Sequence, residues 1–333
     1  MTELRSFLAW IAIDPERLAA YLRDPHAAVE SSGLDLPARR ALDGGALAIW
    51  DVLLGRPPGD VPEPSRRVDT TRQGSLVVVG TGIRTVGHLT IEAIAWMRVA
   101  DTVLYVVADP IAEEVIRNLN PDGAMSLRGY YGEGINRRHS YEAMIEHMLS
   151  CVRAGQRTCA AFYGHPGVFA YPAHEAVRRA RSEGHTAQML PGISAEDCLF
   201  ADLGVDPAVT GCQTFEATDF LVNSRAVDTS AQLILWQVGV VGDRTYRLGG
   251  YDLRGFPLLV ARLKDLYGAG HEVTVYEAPL FPGVAPVATR IALTHLTQEY
   301  VHAGSTLYVP PSRPTKSDQA MAAALGLHER VQT

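Results

Sequence analysis

The chain has 333 residues, a formal net charge of -7, 47% hydrophobic and 20% charged residues; this is the balance of a folded soluble protein, long enough for two or three domains with real cores. The net negative charge argues against a nucleic-acid binder that relies on phosphate attraction. The apolar run after Arg5 meets Asp14 too soon for a membrane span and shows no cleavage pattern of a signal peptide, so the expectation is a cytoplasmic protein with no membrane partner.

Residues 1–56 read as a small all-helical unit. Leu4, Phe7, Leu8 and Ile11 fall at helical spacing. Asp14-Pro15, Asp24-Pro25 and Asp35-Leu36-Pro37 are three helix starts, each with Asp to cap and Pro in the first turn. Gly33 and Gly44-Gly45 are stops, and a last helix carries Leu47, Trp50, Leu53 and Leu54. A unit this small is marginal alone and is expected to dock on something larger. Residues 57–73, with Pro57, Pro58, Pro62 and Pro64, read as a semi-extended linker. From Gly74 the pattern alternates between strand and helix. Strands are predicted at 75–79, 102–107, 157–163 and 186–190, with helices around Leu89–Met97 and at 110–118, 141–153 and 172–183. This predicts an α/β subdomain over 74–190 with a mainly parallel sheet. A second α/β subdomain over 191–312 has strands at 231–236, 272–277 and 305–309 and a helix near 254–267; the tail, 313–333, holds one weak helix from Asp318 to Leu325.

Several stretches carry chemistry. Tyr130 to Tyr141 clusters phenols with Arg137 and Arg138, and Tyr163-Gly164-His165-Pro166-Gly167-Val168-Phe169 follows at a predicted strand end. A phenol titrates near pH ~10, and a neighbouring guanidinium favours the phenolate, so the pair suits removal of a proton from a weak acid. Gly80-Thr81-Gly82 lies between a strand and a helix, where glycine lets a ligand approach the backbone. Thr at position 85 breaks the GxGxxG spacing of a dinucleotide site, and a tight turn without ligand is the alternative. Pro191-Gly192 leads into a helix with Ser194 at its start, either a plain cap or an N-terminus that receives a ligand. Gln237-Val238-Gly239 and Ala303-Gly304-Ser305-Thr306 set polar and small residues at strand ends. Cys151, Cys159, Cys198 and Cys212 form no CxxC, and no HExxH or clustered His/Asp pattern occurs, so neither a metal nor a disulfide framework is indicated.

Together these stretches, and above all Met189 to Leu203 (Met189-Leu190-Pro191-Gly192-Ile193-Ser194-Ala195-Glu196-Asp197-Cys198-Leu199-Phe200-Ala201-Asp202-Leu203), resemble the tetrapyrrole methylase superfamily, whose members use S-adenosylmethionine. Within it the chain is most similar to the borosin peptide backbone α-N-methyltransferases, over residues 74 to 311. The resemblance implies a two-domain α/β tetrapyrrole methylase-like fold, preceded here by a small all-helical domain. It also implies catalytic roles for Tyr131, Arg137, Tyr141 and Tyr163, and places another active-site tyrosine of the fungal members on Arg128. For the cofactor it implies Tyr163, His165, Val168, Phe169, Ser194, Ala195, Gln237, Ala278, Ser305 and Thr306, alongside the strand-end glycines Gly80 and Gly82. The N-terminal unit, through Ile13 to Leu22, Leu42 to Gly45 and Trp50, resembles the helical borosin-binding domain of precursor peptides, which in fungal fusions follows the methylase rather than preceding it.

The activity so implied is N-methylation of backbone amides. An amide nitrogen is a poor nucleophile because its lone pair is delocalised into the carbonyl. Tyr131 is expected to act as base or hydrogen-bond partner, Arg137 to stabilise the phenolate or the developing imidate, and Tyr141 and Tyr163 to position peptide and methyl donor. Proline has no N–H to methylate, and the tail has no Val, Ile or Gly run, so the expected substrate is a precursor peptide supplied in trans. A homodimer is implied by resemblance. Two alternatives stand beside this one. The first is a uroporphyrinogen- or precorrin-type C-methyltransferase, which usually has a Gly-Pro-Gly-Asp-like first loop where this chain has Gly82-Ile83-Arg84-Thr85. The second is a catalytically silent module that holds a precursor peptide.

Overall fold

The structure is a computed structural model and describes residues 3–44, 49, 52–53, 74–107, 109–248, 250–281 and 283–327. The predicted linker and most of the last N-terminal helix, including Leu47, Trp50 and Leu54, lie outside the described residues. Two compact units emerge: residues 1–195 with 280–284, and residues 196–279 with 285–333.

The first unit opens with four helices, α1 (Glu3–Ala12), α2 (Pro15–Arg23), α3 (Pro25–Ser31) and α4 (Leu36–Gly44). Their starts follow the Asp–Pro signals. The Asp14 carboxylate accepts from Glu16 N at 2.8 Å, that of Asp24 from Ala27 N at 2.9 Å, and that of Asp35 from Ala38 N at 2.9 Å. Each satisfies a backbone donor that the first helical turn leaves without a partner. Leu4, Phe7, Ile11, Leu34, Ala38 and Ala41 bury the small core between them. The bundle does not stand alone. Ala19 of α2 packs with Ala95 and Val99 of the Ile91–Val99 helix, flanked by Leu18, Leu22 and Trp96. Two alanines at the crossing bring the helix backbones close. The Arg98–Glu16 pair at 2.8 Å lies on the rim and adds little.

That receiving helix belongs to a five-stranded sheet of order β3-β2-β4-β1-β5, formed by β1 (Ser75–Gly80), β2 (Thr102–Val106), β3 (Ala124–Ser126), β4 (Arg157–Phe162) and β5 (Thr186–Met189). All its pairings are parallel, with Val78 opposite Ala160, Val78 opposite Met189, Val103 opposite Cys159 and Val103 opposite Ala124. Parallel strands covered on both faces read as continuous apolar runs rather than alternating ones. Leu76, Val78, Ala160 and Phe162 face the helices Arg137–Arg153 and Tyr171–Ser182, while Val77, Val79, Cys159 and Ala161 face Ile91–Val99 and Pro110–Leu119.

The second unit is built on a sheet of order β6-β7-β10-β8-β9, from β6 (Cys212–Glu216), β7 (Gln232–Trp236), β8 (Glu272–Glu277), β9 (Val287–Ala292) and β10 (Thr306–Val309). Only β6 and β7 run parallel; β7–β10, β10–β8 and β8–β9 are antiparallel. Leu233, Leu235, Val273, Val275, Leu307 and Val309 bury one face against the helices Ala217–Val222 and Phe256–Tyr267. The tail helix is Gln319–Ala324, capped by Asp318 through Met321 N at 3.0 Å.

Candidate functional site

In the first unit the site residues gather at the C-terminal edge of the parallel sheet, where ligands of open α/β sheets bind. Leu127 N donates to Tyr105 O at 2.9 Å, and the turn Arg128–Tyr130 then delivers Tyr131, whose N–H donates to Arg128 O at 3.0 Å. Asn136 caps the Arg137–Arg153 helix by accepting from Arg138 N at 2.9 Å, which sets Arg137 in its first turn. One turn on, Tyr141 meets Tyr131 edge to face, with centroids 6.3 Å apart and an interplanar angle of 79°. On its other side Tyr141 lies 6.3 Å from the ring of Tyr171, and the Arg138 guanidinium sits 4.1 Å over that ring. The result is a row of three phenols, all packed on the core below.

Tyr171 was not anticipated, nor was the carboxylate that controls it. Tyr171 donates its hydroxyl to Glu142 at 3.0 Å, and Glu142 also receives Arg138 at 3.1 Å and Arg179 at 2.8 Å. The hydrogen bond from Arg179 holds the Glu142 carboxyl below the usual carboxylate range, and burial together with Glu142 raises the Tyr171 phenol. Tyr171 is therefore held neutral. The only sequence hint was the i,i+4 spacing of Arg138 and Glu142 on a helix.

The loops after β1, β4 and β5 interlock. Thr81 N donates to Phe162 O at 2.8 Å, and Gly82 and Gly164 exchange backbone hydrogen bonds at 3.2 and 3.1 Å. A Cβ on Gly192 would lie 3.0 Å from Gly164 O and 3.1 Å from Gly80 Cα, and one on Gly80 would collide with the Gly164 carbonyl. Gly80 and Gly82 thus let two strand-end loops zip together. Tyr163 follows β4 with its N–H on Val106 O at 3.0 Å and its side chain 38% exposed. His165 Nδ1 accepts from Gly167 N at 2.9 Å, which leaves the ring proton on Nε2. Val168 N closes the turn on His165 O at 3.1 Å, and Phe169 then adopts φ 52° with its ring 48% exposed. Ser194, 5% exposed, precedes the Ala195–Leu203 helix.

In the second unit, the register that sets Leu307 opposite Leu235 and Thr306 opposite Tyr276 brings Gln237, Ala278, Ser305 and Thr306 to one end of the sheet. Gln237 leaves β7 with φ 57° and ψ 33°. Two residues on, Gly239 lies against the His302 carbonyl so closely that a Cβ would overlap it. Ser305 Oγ accepts from His302 N at 2.9 Å and donates to Glu277 Oε1 at 2.8 Å.

A family model of the tetrapyrrole (corrin/porphyrin) methylases matches residues 75–291. The chain belongs to this family. Among similar proteins, the methyltransferase/ribosomally synthesized cyclic peptide dendrothelin A precursor of Dendrothele bispora is 44% identical over 245 residues, which cover 72% of this chain and 58% of that protein. The methyltransferase/ribosomally synthesized type I borosin cyclic peptide precursor of Coprinopsis marcescibilis is 44% identical over 251 residues, 73% of this chain and 64% of that protein. The chain thus spans 58% and 64% of the length of these two curated relatives. The solved structure of cobalt precorrin-4 methyltransferase, a cobalamin biosynthetic enzyme, superposes with a TM-score of 0.52 at 15% identity, covering 77% of this chain and 100% of that one; it is alike in fold.

Of the residues expected to be catalytic, Tyr131 and Tyr141 are in ring contact, and Arg137 lies in the first turn of the helix that carries Tyr141. Tyr163 stands at the end of β4 on the same sheet edge. Arg128, the residue on which the resemblance places a further active-site tyrosine of the fungal members, is exposed in the turn that leads to Tyr131. Among the described residues no cluster of His, Cys, Asp and Glu could hold a metal, and no helix is long and apolar enough to cross a membrane.

Proposed function

We propose that this methylase uses S-adenosylmethionine to N-methylate backbone amides of a ribosomally made precursor peptide. The observation that carries the reading is the 44% identity, over 245 residues, to a methyltransferase that is at once a cyclic peptide precursor. The phenol row gives it a chemistry. Burial and the hydrogen bond to Glu142 raise the Tyr171 phenol and suit it to support; Tyr131, the phenol to which the resemblance gives a catalytic role, is assigned to take the amide proton as its phenolate. Tyr141 braces the Tyr131 ring edge-on. Arg137, in the first turn of its helix, is assigned to the negative charge that develops on the amide oxygen as the proton leaves. Tyr163 is assigned to holding the peptide in attack geometry.

The residues suit the cofactor. His165 offers an Nε2–H donor, Ser305 an acceptor, and Phe169 and Gln237 hold left-handed backbone that is uncommon outside glycine. Val168, Ala195, Ala278 and Thr306 are assigned to the same ligand. S-adenosylmethionine supplies an electrophilic methyl group on a sulfonium. A precursor peptide supplied in trans and a homodimer are part of the same proposal. The N-terminal helices, docked through Ala19 on Ala95 and Val99, are read as a built-in docking domain, a structural clasp or a relic of fusion.

The test uses labelled cofactor with three substrates: the chain itself, short precursor peptides encoded beside its gene, and uroporphyrinogen. Methylated peptide supports the reading. Tyr131→Phe and Arg137→Ala should abolish turnover while cofactor binding persists. Label on the chain itself would place the substrate in cis, and label on the tetrapyrrole alone would replace the peptide reading with carbon methylation.

A further inference from the structure

Ser305 is 1% exposed, yet its hydroxyl is not merely buried. It sits in a tight turn in which Ser305 N donates to His302 O at 3.0 Å and His302 N returns a hydrogen bond to Ser305 Oγ at 2.9 Å. The hydroxyl proton goes to Glu277 Oε1 at 2.8 Å. The same oxygen takes the His302 ring through Nε2 at 2.6 Å, while His302 Nδ1 accepts from Gly304 N at 3.0 Å. The ring is thereby fixed with its proton on Nε2 and pinned to the carboxylate.

A serine hydroxyl has one proton to give and two lone pairs to receive with. Here the proton is spent on a carboxylate, which cannot give one back, and one lone pair is spent on His302 N. What remains is a single lone pair on an oxygen made more electron-rich by its charge-assisted bond to Glu277. Such an oxygen accepts and does not donate. Without Glu277 the hydroxyl would be free to rotate and to present either polarity.

We propose that Glu277 is a positioning residue that fixes Ser305 as a dedicated acceptor for an N–H group of the cofactor, either the adenine amine or the α-ammonium. The inference rests on the cofactor reading above, to which it adds a polarity and a residue that the sequence pattern did not single out. Gln237 lies at the same sheet end by register, and Gly239 packs on the carbonyl of His302, so the acceptor is built into the backbone rather than carried on a loose loop. Glu277 ends β8 one residue before Ala278, which leaves it little freedom to move.

The experiment is calorimetric titration of the full chain with S-adenosylhomocysteine and two analogues, one with the adenine amine replaced by oxygen and one lacking the α-amino group. Ser305→Ala and Glu277→Ala should each weaken S-adenosylhomocysteine binding about tenfold, the worth of one hydrogen bond of this kind. The double variant should also lose about tenfold rather than a hundredfold, because both act on one contact. Glu277→Gln should recover most of the affinity, since the amide oxygen can still take the serine proton. With one of the two analogues the losses should vanish, and that analogue names the donor. Equal losses with all three ligands would mean general loosening and would overturn the assignment, as would additive losses. Ser305→Ala removes a single oxygen, so its analogue comparison stands even if Glu277→Ala folds poorly. No binding of S-adenosylhomocysteine to the unaltered protein would sink the cofactor reading and this assignment together. Binding indifferent to both substitutions would spare the former and overturn the latter.

Discussion

Gln237 offers a test in which two nearly equal truncations should part company. Its φ of 57° and ψ of 33° are left-handed, a conformation that costs an L-residue about 1–2 kcal/mol through the approach of Cβ to the following carbonyl. Gln237→Ala removes the side-chain amide and keeps that cost; Gln237→Gly removes the same amide and escapes it. Glycine loses about 0.5–1 kcal/mol by its greater freedom in the unfolded chain. The remainder leaves the glycine variant more stable than the alanine variant by about 0.5–1 kcal/mol, the reverse of the order at ordinary helix and strand positions. For a protein of this size that separates the two melting temperatures by about 1–3 °C. Both variants lack the side chain of a residue assigned to the cofactor, so both should bind S-adenosylhomocysteine more weakly and to a similar degree. Thermal denaturation without ligand, followed by calorimetric titration, reads the two quantities separately. If alanine proved as stable as glycine, the left-handed backbone at β7's end would be refuted, and with it the argument that function keeps it there.

Gly239→Ala should cost about 2–3 kcal/mol and abolish cofactor binding, because the new Cβ overlaps a backbone carbonyl, which cannot rotate away as a side chain would; melting and titration together check it. Ala19→Trp should lift α2 from the Ile91–Val99 helix at an overpacking cost of about 1–3 kcal/mol, seen as faster hydrogen exchange in α1–α4 with β1–β5 still protected. Acid should loosen the first unit. Hydrogen bonds from Arg179 lower Glu142, Arg178 and Arg179 push Glu175 down to about 2, and Arg153 lowers Glu183. Depressed folded values add stability above the ordinary carboxylate value of about 4.3. That stability drains as pH falls from there toward about 2, so melting temperature should decline over this window, and a flat profile would count against these ion pairs.

What the sequence made legible follows from how locally each feature is encoded. The Asp–Pro helix starts of the N-terminal unit hold, because a cap is a contact between residues two or three apart. The apolar runs of β1 and β4 hold, because a strand covered on both faces needs no alternation to be recognised. Three strands escaped notice. β3 has three residues, β6 is Cys-Gln-Thr-Phe-Glu with no apolar run, and β9 is an edge strand whose first four residues are exposed. Their strand character comes from pairing, with β2, β7 and β8, rather than from composition. The site divides in the same way. Tyr131 and Tyr141 lie ten residues apart and read as one stretch, whereas Tyr171 joins them only because two helices pack side by side on β1 and β4. Glu277, Ser305 and Gln237 meet through strand register, which no local pattern displays.

The phenol row poses a question of division of labour, since its three members are chemically alike. Environment separates them. The Tyr171 hydroxyl donates to Glu142, a carboxylate kept ionised by Arg179, and a phenol that donates to an anion resists becoming an anion itself. Its raised value marks it as a support whose ring carries Tyr141 on one side and the Arg138 guanidinium on its face. Tyr171→Phe keeps that ring and removes only the hydroxyl, leaving Glu142 its two arginines. The loss should be about 1 kcal/mol of stability, with methyl transfer largely retained, whereas Tyr131→Phe keeps an equally good ring and should abolish turnover. Kinetics of the two phenylalanine variants on one peptide, alongside their melting curves, make the comparison direct. Should Tyr171→Phe fall as far as Tyr131→Phe in turnover while melting like the unaltered protein, the proton would belong to the row as a whole, and the assignment of Tyr131 as its single acceptor would fail.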